Sequence, residues 1–229
     1  MADVRTHLGN SVADRLLLLI YRSLFTAGLA SLFWSRRLAE SKAAGKIVVW
    51  QNRLLSGRRY DRMIDLSVRW YGAALDEALN HAMTLSRRSI GRIVDCGTGT
   101  GFVSCSIARR LPESQIVDVD ALAEMLSVAR ANVNRLTDKG MYVRGLLGSL
   151  PLKNSVADLV IAQNTIPVLR EFGRICRPGG VVVFVESAVG LALVATLARR
   201  SAERVQMFDA IEARRARIGF YLIARRMQH

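Results

Sequence analysis

The chain has 229 residues, of which 51% are hydrophobic, so it can bury one sizeable core and carry a small appendage. Its three cysteines are odd in number and lack metal-ligand spacing, which argues for a reducing compartment and against a disulfide framework or a bound metal. The net charge of +14 predicts attraction to polyanions, either nucleic acid or an anionic membrane surface, unless the charges are merely solvated. No basic run is interleaved with aromatic residues, so nucleic acid is not specifically indicated.

The first distinctive segment is residues 16–34, which are almost entirely apolar except for Arg22 and a few small polar residues. Its length barely reaches the roughly 20 residues of a bilayer span, and an arginine inside the bilayer would be costly. Three interpretations stay open: an interfacial helix, a membrane span, or a helix packed on the domain as a lid. Aromatic and basic residues at the segment's ends are typical of a membrane interface.

We therefore assign residues 1–59 to a helical N-terminal extension and residues 60–229 to one domain. The protein is expected in the cytoplasm, either free or held at a membrane, peripherally or by an anchor, through residues 16–34. Apolar residues then recur with a helical period over residues 61–86, which predicts a helix with one apolar face. His81 belongs to this helix and is interpreted as a helix-surface residue rather than a base.

The central motif occupies residues 93–103, where a short apolar run reaches Asp95 and glycines follow at positions 97, 99 and 101. This pattern predicts a buried strand, a tight turn and the start of a helix that runs over about 101–111. Glycines let the main chain approach a ligand closely, and a helix N-terminus offers it N–H groups. The spacing is not the Gly-x-Gly-x-x-Gly of phosphate binding, and Asp95 favours a ligand with a cationic group.

A second short strand, residues 115–120, ends at Asp120, about 20 residues past the glycine turn. The next helix carries a helically spaced apolar stripe that we assign to the core: Leu122, Met125, Leu126, Ala129, Val133 and Leu136. Further strands are predicted near residues 142–145 and over 157–163. Residues 163–165 follow the latter strand, so they should line the cleft floor.

The last part of the chain predicts a helix over 169–176, a turn, and a buried strand over 181–186. A helix over 188–202 follows, and then an antiparallel pair at the sheet edge over 204–210 and 218–224. The alternation of strands and helices predicts an α/β domain with a Rossmann-like, seven-stranded, mostly parallel sheet. Helices should cover both faces, and an antiparallel strand should lie at the edge.

Residues 93–103 resemble motif I of the class I S-adenosylmethionine-dependent methyltransferases, whose cofactor carries an amino group and a sulfonium. Later landmarks of the family follow in order, at residues 115–130, 145–151, 157–160 and 174–180. The resemblance covers about residues 60–226 and is nearest to methyltransferases of quinone and phospholipid biosynthesis. It implies S-adenosylmethionine as the cofactor and a seven-stranded fold.

The resemblance also implies roles for individual residues. Asp95 would take the cofactor's charged methionine end, through its ammonium or a bound water, and Asp120 would take the ribose hydroxyls. Leu122 would pack on the adenine. The whole implied cofactor-binding set is Asp95, Gly97, Thr98, Gly99, Gly101, Asp120, Ala121, Leu122 and Gln163. No general base stands out, and the weak catalytic candidates are Tyr60, which with Asp61 resembles the start of a cofactor-capping helix, Asn164 and Thr165.

Two positions depart from the family pattern. Leu146 stands where the family has an acid that takes the adenine amino group, and residues 164–169 are shorter than the usual rim. A short rim is typical of an open cleft for a bulky or membrane-held acceptor, and equally of a degenerate site.

Three functions follow from these observations. The first is methyl transfer by direct displacement to a small apolar or lipid-like acceptor, such as a quinone, a phospholipid or a related metabolite. The second is a non-catalytic binding or scaffold protein with the same fold. The third is a nucleic-acid methyltransferase, which only the charge favours, because the chain lacks an Asn-Pro-Pro-Tyr-like tetrapeptide after the fourth strand. The expected partners are a small-molecule or lipid substrate and an anionic membrane surface; the sequence does not indicate an oligomeric state.

Overall fold

The computed structural model describes residues 68–187, 192–216 and 219–228. The predicted extension, its apolar segment 16–34, Tyr60 and the first residues of the predicted 61–86 helix lie outside this part of the chain. The described helices are α1 (Val68–Leu85), α2 (Phe102–Arg110), α3 (Ala123–Val133), α4 (Leu169–Ile175) and α5 (Ala192–Val205). The described strands are β1 (Arg92–Cys96), β2 (Gln115–Asp120), β3 (Gly140–Arg144), β4 (Ala157–Gln163), β5 (Cys176–Glu186), β6 (Phe208–Arg215) and β7 (Phe220–Arg226).

The strands form one seven-stranded sheet in the order β3-β2-β1-β4-β5-β7-β6. Strands β1 to β5 pair in parallel, whereas β7 pairs antiparallel with both of its neighbours. The order reverses between β1 and β4, which places a topological switch point at their carboxyl ends. The predicted fold class, a mostly parallel Rossmann-like sheet with an antiparallel edge, is confirmed.

Two apolar layers cover the sheet, because successive residues of a strand point to opposite faces. Val94, Val160 and Val182 belong to the layer that includes α4 and α5. Ile93 and Leu159, their chain neighbours, belong to the layer that includes α1 and α2. Strands buried on both sides read as continuous apolar runs, and for this reason the sequence reveals β1, β4 and β5 clearly.

Several element boundaries differ from the prediction. Strand β5 begins at Cys176 rather than at 181, because Cys176 already pairs with Ala157 across a register shift. The antiparallel pair starts later than predicted, since α5 runs on to Val205. The prediction that Leu136 belongs to the core is wrong. This residue lies beyond the end of α3 and is 40% exposed.

His81 lies on α1, as predicted, and is partly covered by the neighbouring sheet. The Tyr221 ring meets it edge-on, with 5.9 Å between ring centroids. Its Nε2 atom is 3.6 Å from a carboxylate oxygen of Glu212. These contacts dock α1 on the antiparallel end of the sheet.

Asp158 ties the amino ends of the central strands together. Its Oδ2 accepts hydrogen bonds from the N–H groups of Gly91 (3.1 Å) and Arg92 (2.9 Å). Its Oδ1 accepts from Arg177 Nη1 (2.9 Å) and Arg88 Nε (3.4 Å). Burial alone would raise the pKa of this carboxyl, but these partners, Arg177 foremost, hold its pKa below the usual range.

We expect Asp158→Asn to lower the free energy of unfolding by about 3 kcal/mol, because it leaves buried donors and Arg177 without an anionic acceptor. A depressed carboxyl pKa stabilises the fold above the pKa of an unfolded aspartate, about 4, and this stabilisation is lost as the pH falls further. The difference from wild type should therefore be full at neutral pH and shrink in acid, as measured by urea denaturation.

Glu113→Gln is the control for this experiment. The Glu113 side chain is 92% exposed, and among the described residues its ion-pair partner is Lys139, so its loss should change the free energy of unfolding by less than about 1 kcal/mol. If Asp158→Asn were as stable as this control, the hydrogen bonds of Asp158 would not stabilise the fold as proposed.

Candidate functional site

The turn between β1 and α2 is held in a conformation that only glycine adopts without strain. Gly97, Gly99 and Gly101 have φ angles of 78°, 56° and 87°, all in the left-handed region. The N–H groups of Gly97 and Thr98 both donate to the carbonyl of Val119, at 2.7 and 3.1 Å. The turn therefore curls over the carboxyl end of β2, at the switch point of the sheet.

The space around this turn, like its backbone conformation, disfavours residues larger than glycine. A Cβ on Gly97 would lie 3.1 Å from Thr165 Oγ1, and a Cβ on Gly101 would lie 3.1 Å from the Cα of Ala129. The turn is thus packed between the residues after β4 and the second half of α3.

Asp120 ends β2 and bonds to the backbone on both sides of it. Its Oδ2 accepts from the Gly99 N–H (3.0 Å) and its Oδ1 from the Leu122 N–H (2.9 Å). Burial raises the pKa of Asp120, and these N–H groups partly oppose the shift. A carboxylate oxygen can accept two hydrogen bonds, so with Leu122, Gly99 and Ala121 as donors Asp120 keeps at least one lone pair for a ligand hydroxyl. Ala121 follows, and its carbonyl accepts from Arg144 Nε at 3.1 Å.

Asp95 is fully buried one strand away. Its Oδ2 accepts from Ser104 Oγ at 3.0 Å, and its Oδ1 has no hydrogen-bond partner in the described part of the chain. Burial raises the pKa of Asp95 to about 8, with the neighbouring Asp118 carboxyl adding to the shift and the Thr98 and Ser104 hydroxyls opposing it. A buried acceptor without a donor is costly, so this oxygen suits a ligand that brings a donor or a cation.

Asp118 is a residue that the sequence reasoning missed. It is the register partner of Asp95 on β2, is fully buried, and accepts from Thr98 Oγ1 (2.7 Å) and Ser104 Oγ (2.5 Å). An acid in the middle of an apolar strand was the available signal, because such a position is rarely occupied without a partner or a role.

The residues after β4 lie beside the glycine turn, where Thr165 is the neighbour of Gly97. Gln163 Nε2 donates to Ser187 Oγ at 2.7 Å, and Asn164 Oδ1 accepts from the Ser187 N–H at 2.8 Å. Asn164 has a φ of 51°, a strained value for a residue with a side chain. Thr165 is buried against Gly97. The candidates Gln163, Asn164 and Thr165 therefore lie together at the switch point, but Asn164 uses its carboxamide oxygen to join β4 to β5.

The segment after β3 is held in place by α4. Arg174 donates to the carbonyls of Leu150 (3.1 Å) and Leu152 (2.8 Å), while Glu171 Oε1 accepts from the Leu150 N–H (2.7 Å) and pairs with Arg174. Leu146, at the start of this segment, forms a backbone bridge with Ser149. The segment is therefore fixed, and the position where the family has an acid is apolar.

Within residues 68–187, 192–216 and 219–228, no cluster of three or more His, Cys, Asp or Glu side chains could hold a metal ion. The described helices are also each too short or too polar to cross a bilayer.

Comparison with known proteins shows what the central part of this chain is similar to. Residues 93–180 match the family model of a methyltransferase domain. A ubiquinone/menaquinone biosynthesis C-methyltransferase from Syntrophotalea carbinolica is 31% identical over 140 residues, which cover 56% of each chain. A release factor glutamine methyltransferase from Bordetella pertussis is 29% identical over 142 residues, or 56% of this chain and 48% of the other. The chain thus spans about half the length of the curated relatives it matches.

A solved structure supports the fold. The crystal structure of a methyltransferase from Aquifex aeolicus, described as dependent on S-adenosylmethionine, superposes with a TM-score of 0.54. The alignment covers 70% of this chain and 93% of that one at 15% sequence identity, so it shows a shared fold alone. The matched family segment contains the glycine turn, Asp95, Asp120 and the residues after β4.

We expect Gly97→Ala to destabilise the protein by about 1–3 kcal/mol, because the residue has a left-handed backbone and the new Cβ would press on Thr165. Gly148→Ala is the matched control: its added Cβ would have no atom within 4 Å, and its free energy of unfolding should change by less than about 0.5 kcal/mol. Thermal and urea unfolding of both variants decide the comparison, and equal stabilities would contradict the packing described for the turn.

Proposed function

We propose that this protein, whose residues 93–180 match the family model of a methyltransferase domain, transfers a methyl group from S-adenosylmethionine to a small apolar or lipid-like acceptor such as a quinone. The observation that carries the proposal is the combination of a glycine turn at the switch point with an unpartnered, buried oxygen of Asp95 beside it.

The residues present fit the cofactor. Its ammonium group supplies the donor and the positive charge that Asp95 Oδ1 lacks, either directly or through a water. The ribose hydroxyls would donate to Asp120, and Leu122, which is buried, would contact the adenine. Gly97, Thr98, Gly99 and Gly101 would form the backbone surface of the site. Leu146 would add apolar contact but no acceptor for the adenine amino group.

The bound cofactor would supply an electrophilic methyl group for an in-line displacement. The chain's own contribution would be to orient the acceptor and to exclude water from the reacting atoms. Asn164 and Thr165 would line the floor of the proposed cleft, but in the described part of the chain no side chain is placed as an evident general base. An acceptor that ionises readily by itself would not need one.

Three observations support an apolar or lipid-like acceptor. The relative from Syntrophotalea carbinolica is described as acting in ubiquinone and menaquinone biosynthesis. Strand β4 is joined to α4 by residues 164–168 alone, which would leave the cleft open to a bulky acceptor. The chain also combines a net charge of +14 with an apolar segment at residues 16–34, which would bring it to an anionic membrane where such acceptors dissolve.

A second candidate is a non-catalytic protein that keeps the fold as a binding module. Leu146 favours it, since the adenine would lose one hydrogen bond that the family usually makes. Cofactor binding and turnover distinguish the two candidates.

We expect S-adenosylmethionine and S-adenosylhomocysteine to bind with micromolar affinity in titration calorimetry. Asp95→Asn keeps the shape of the side chain but removes its charge, so it should weaken binding at least about tenfold, a loss of about 1.4 kcal/mol. Glu113→Gln removes a remote surface charge and should bind as wild type does. A folded wild-type sample that binds neither ligand would refute the proposed activity.

Turnover is tested by incubating the protein with methyl-labelled S-adenosylmethionine and a demethylated quinone. Label should appear in the quinone with wild type and fall at least about tenfold with Asp95→Asn, in line with the loss of cofactor affinity. Tight cofactor binding without label transfer to quinones, phospholipids or other apolar acceptors would favour the binding module.

The proposed membrane contact is tested in the full chain. Two charges within the apolar segment, Leu19→Glu and Leu32→Glu, should reduce co-sedimentation with anionic vesicles at least about fivefold, because buried carboxylates oppose insertion at the interface. The matched control is Ser41→Glu with Ser56→Glu, which changes the net charge equally but spares the segment. Equal loss in both variants would mean that net charge, not the segment, governs binding.

A further inference from the structure

Asp95 and Asp118 form a buried carboxyl pair that the proposed function uses only in part. They are register partners on adjacent parallel strands, and both are fully buried. Ser104 Oγ lies between them, 3.0 Å from Asp95 Oδ2 and 2.5 Å from Asp118 Oδ1. A hydroxyl has one hydrogen to donate, so Ser104 cannot satisfy both carboxylates at once.

Among the described residues, one other side-chain hydroxyl donates to the pair. Thr98 Oγ1 donates to Asp118 Oδ1, which leaves Asp95 Oδ1 and Asp118 Oδ2 buried and without hydrogen-bond partners among the described residues. No lysine or arginine of the described ranges forms an ion pair with either carboxyl. Two negative charges this close in an apolar interior cannot both persist, and the usual outcome is that one group keeps a proton.

Asp120 adds a third carboxyl close to the pair. Asp120 lies on the same strand as Asp118, and its charge raises the pKa of Asp95 further, after burial and Asp118 itself. Burial also raises the pKa of Asp118, against the Ser104 and Thr98 hydroxyls. The other titratable or charged groups that face this region are Cys96 on β1, Cys105 and Arg109 on α2, Arg130 on α3, Arg135 after it, and Tyr142 on β3. Arg109 and Arg135 act on Cys105, and Arg130 lies over the Tyr142 ring.

We propose that Asp95 and Asp118 share one proton in the ligand-free protein, and that a cofactor ammonium group binding at Asp95 expels it to solvent. Asp118 then acts through Asp95 as a positioning residue that sets the pH range of cofactor binding. The binding half of this inference rests on the proposed function. The only bond that breaks is the O–H bond of the shared proton, and the ammonium group keeps all of its hydrogens.

Proton release has a direct thermodynamic consequence. Below the pH at which the pair loses its proton, affinity should rise by up to about tenfold for each pH unit, and it should level off above that pH. Replacing Asp118 by asparagine removes one negative charge but keeps the shape and a partner for Ser104. Asp95 should then ionise at lower pH, because burial still acts on it but the second carboxyl does not.

The test is titration calorimetry with S-adenosylhomocysteine at several pH values between about 6 and 8, in buffers of different ionisation enthalpy. We expect wild type to release close to one proton near pH 7 and to gain about tenfold in affinity from pH 6 to pH 7. In Asp118→Asn, we expect the midpoint of the affinity profile about one pH unit lower or more, and less proton release. Glu113→Gln should keep the wild-type profile. An unchanged midpoint in Asp118→Asn, or binding without proton release in wild type, would overturn the coupling.

A second measurement needs no ligand. A carboxyl whose pKa is higher in the folded than in the unfolded protein stabilises the fold below the unfolded pKa of about 4. This stabilisation is lost as the pH rises through the folded pKa, which is about 8 for Asp95. The melting temperature should therefore fall between about pH 6 and 8 in wild type, and fall less in Asp118→Asn.

The two measurements separate the proposals. If wild type binds no ligand at any pH, the proposed function and the coupling both fail, while the melting profiles still decide whether the carboxyls share a proton. If the melting profiles of wild type and Asp118→Asn are parallel, the shared proton is refuted even when the ligand binds.

Discussion

The site depends on the close approach of a glycine turn to the end of a neighbouring strand. Gly97 and Thr98 donate to a single carbonyl at the end of β2, and Asp120 returns a bond to the turn through Gly99. This pairing determines where α2 begins and which side of the turn stays open. Thr165 fills the space beside Gly97, so that side of the turn is closed to a ligand.

The edge that holds the site is stabilised by contacts made elsewhere. Asp158 gathers two N–H groups and two arginines at the amino ends of the central strands, far from the glycine turn along β1. Arg174 and Glu171 fix the segment after β3 from α4. These networks are satisfied within the protein, whereas Asp95 and Asp118 keep unpartnered oxygens. Rigid support beside an unsatisfied polar group is the arrangement expected of a preorganised binding site.

The site is rich in carboxyl groups, whereas the whole chain is strongly basic. The chain carries a net charge of +14, yet the three carboxyls at the ends of β1 and β2 make no ion pair with a described arginine or lysine. Arginines at the antiparallel end of the sheet instead pair with surface acids, as Arg199 does with Glu203 and Arg214 with Glu212. The proposed cationic cofactor would therefore be matched locally, and the overall positive charge would act elsewhere, in the proposed contact with an anionic membrane.

The sequence alone determined the order of strands and helices, the glycine turn and the positions of Asp95 and Asp120, because buried parallel strands and left-handed turns restrict residue type so strongly. It did not reveal the exposure of Leu136 or the start of β5, which depend on where α3 stops and on a register shift with β4. Only the three-dimensional structure showed that Asp118 lies in the candidate site. The role proposed for Asp118 comes from lying opposite Asp95 across a parallel pair with a single hydroxyl between them, and such a contact depends on the pairing of two separate segments, which neither segment shows by itself.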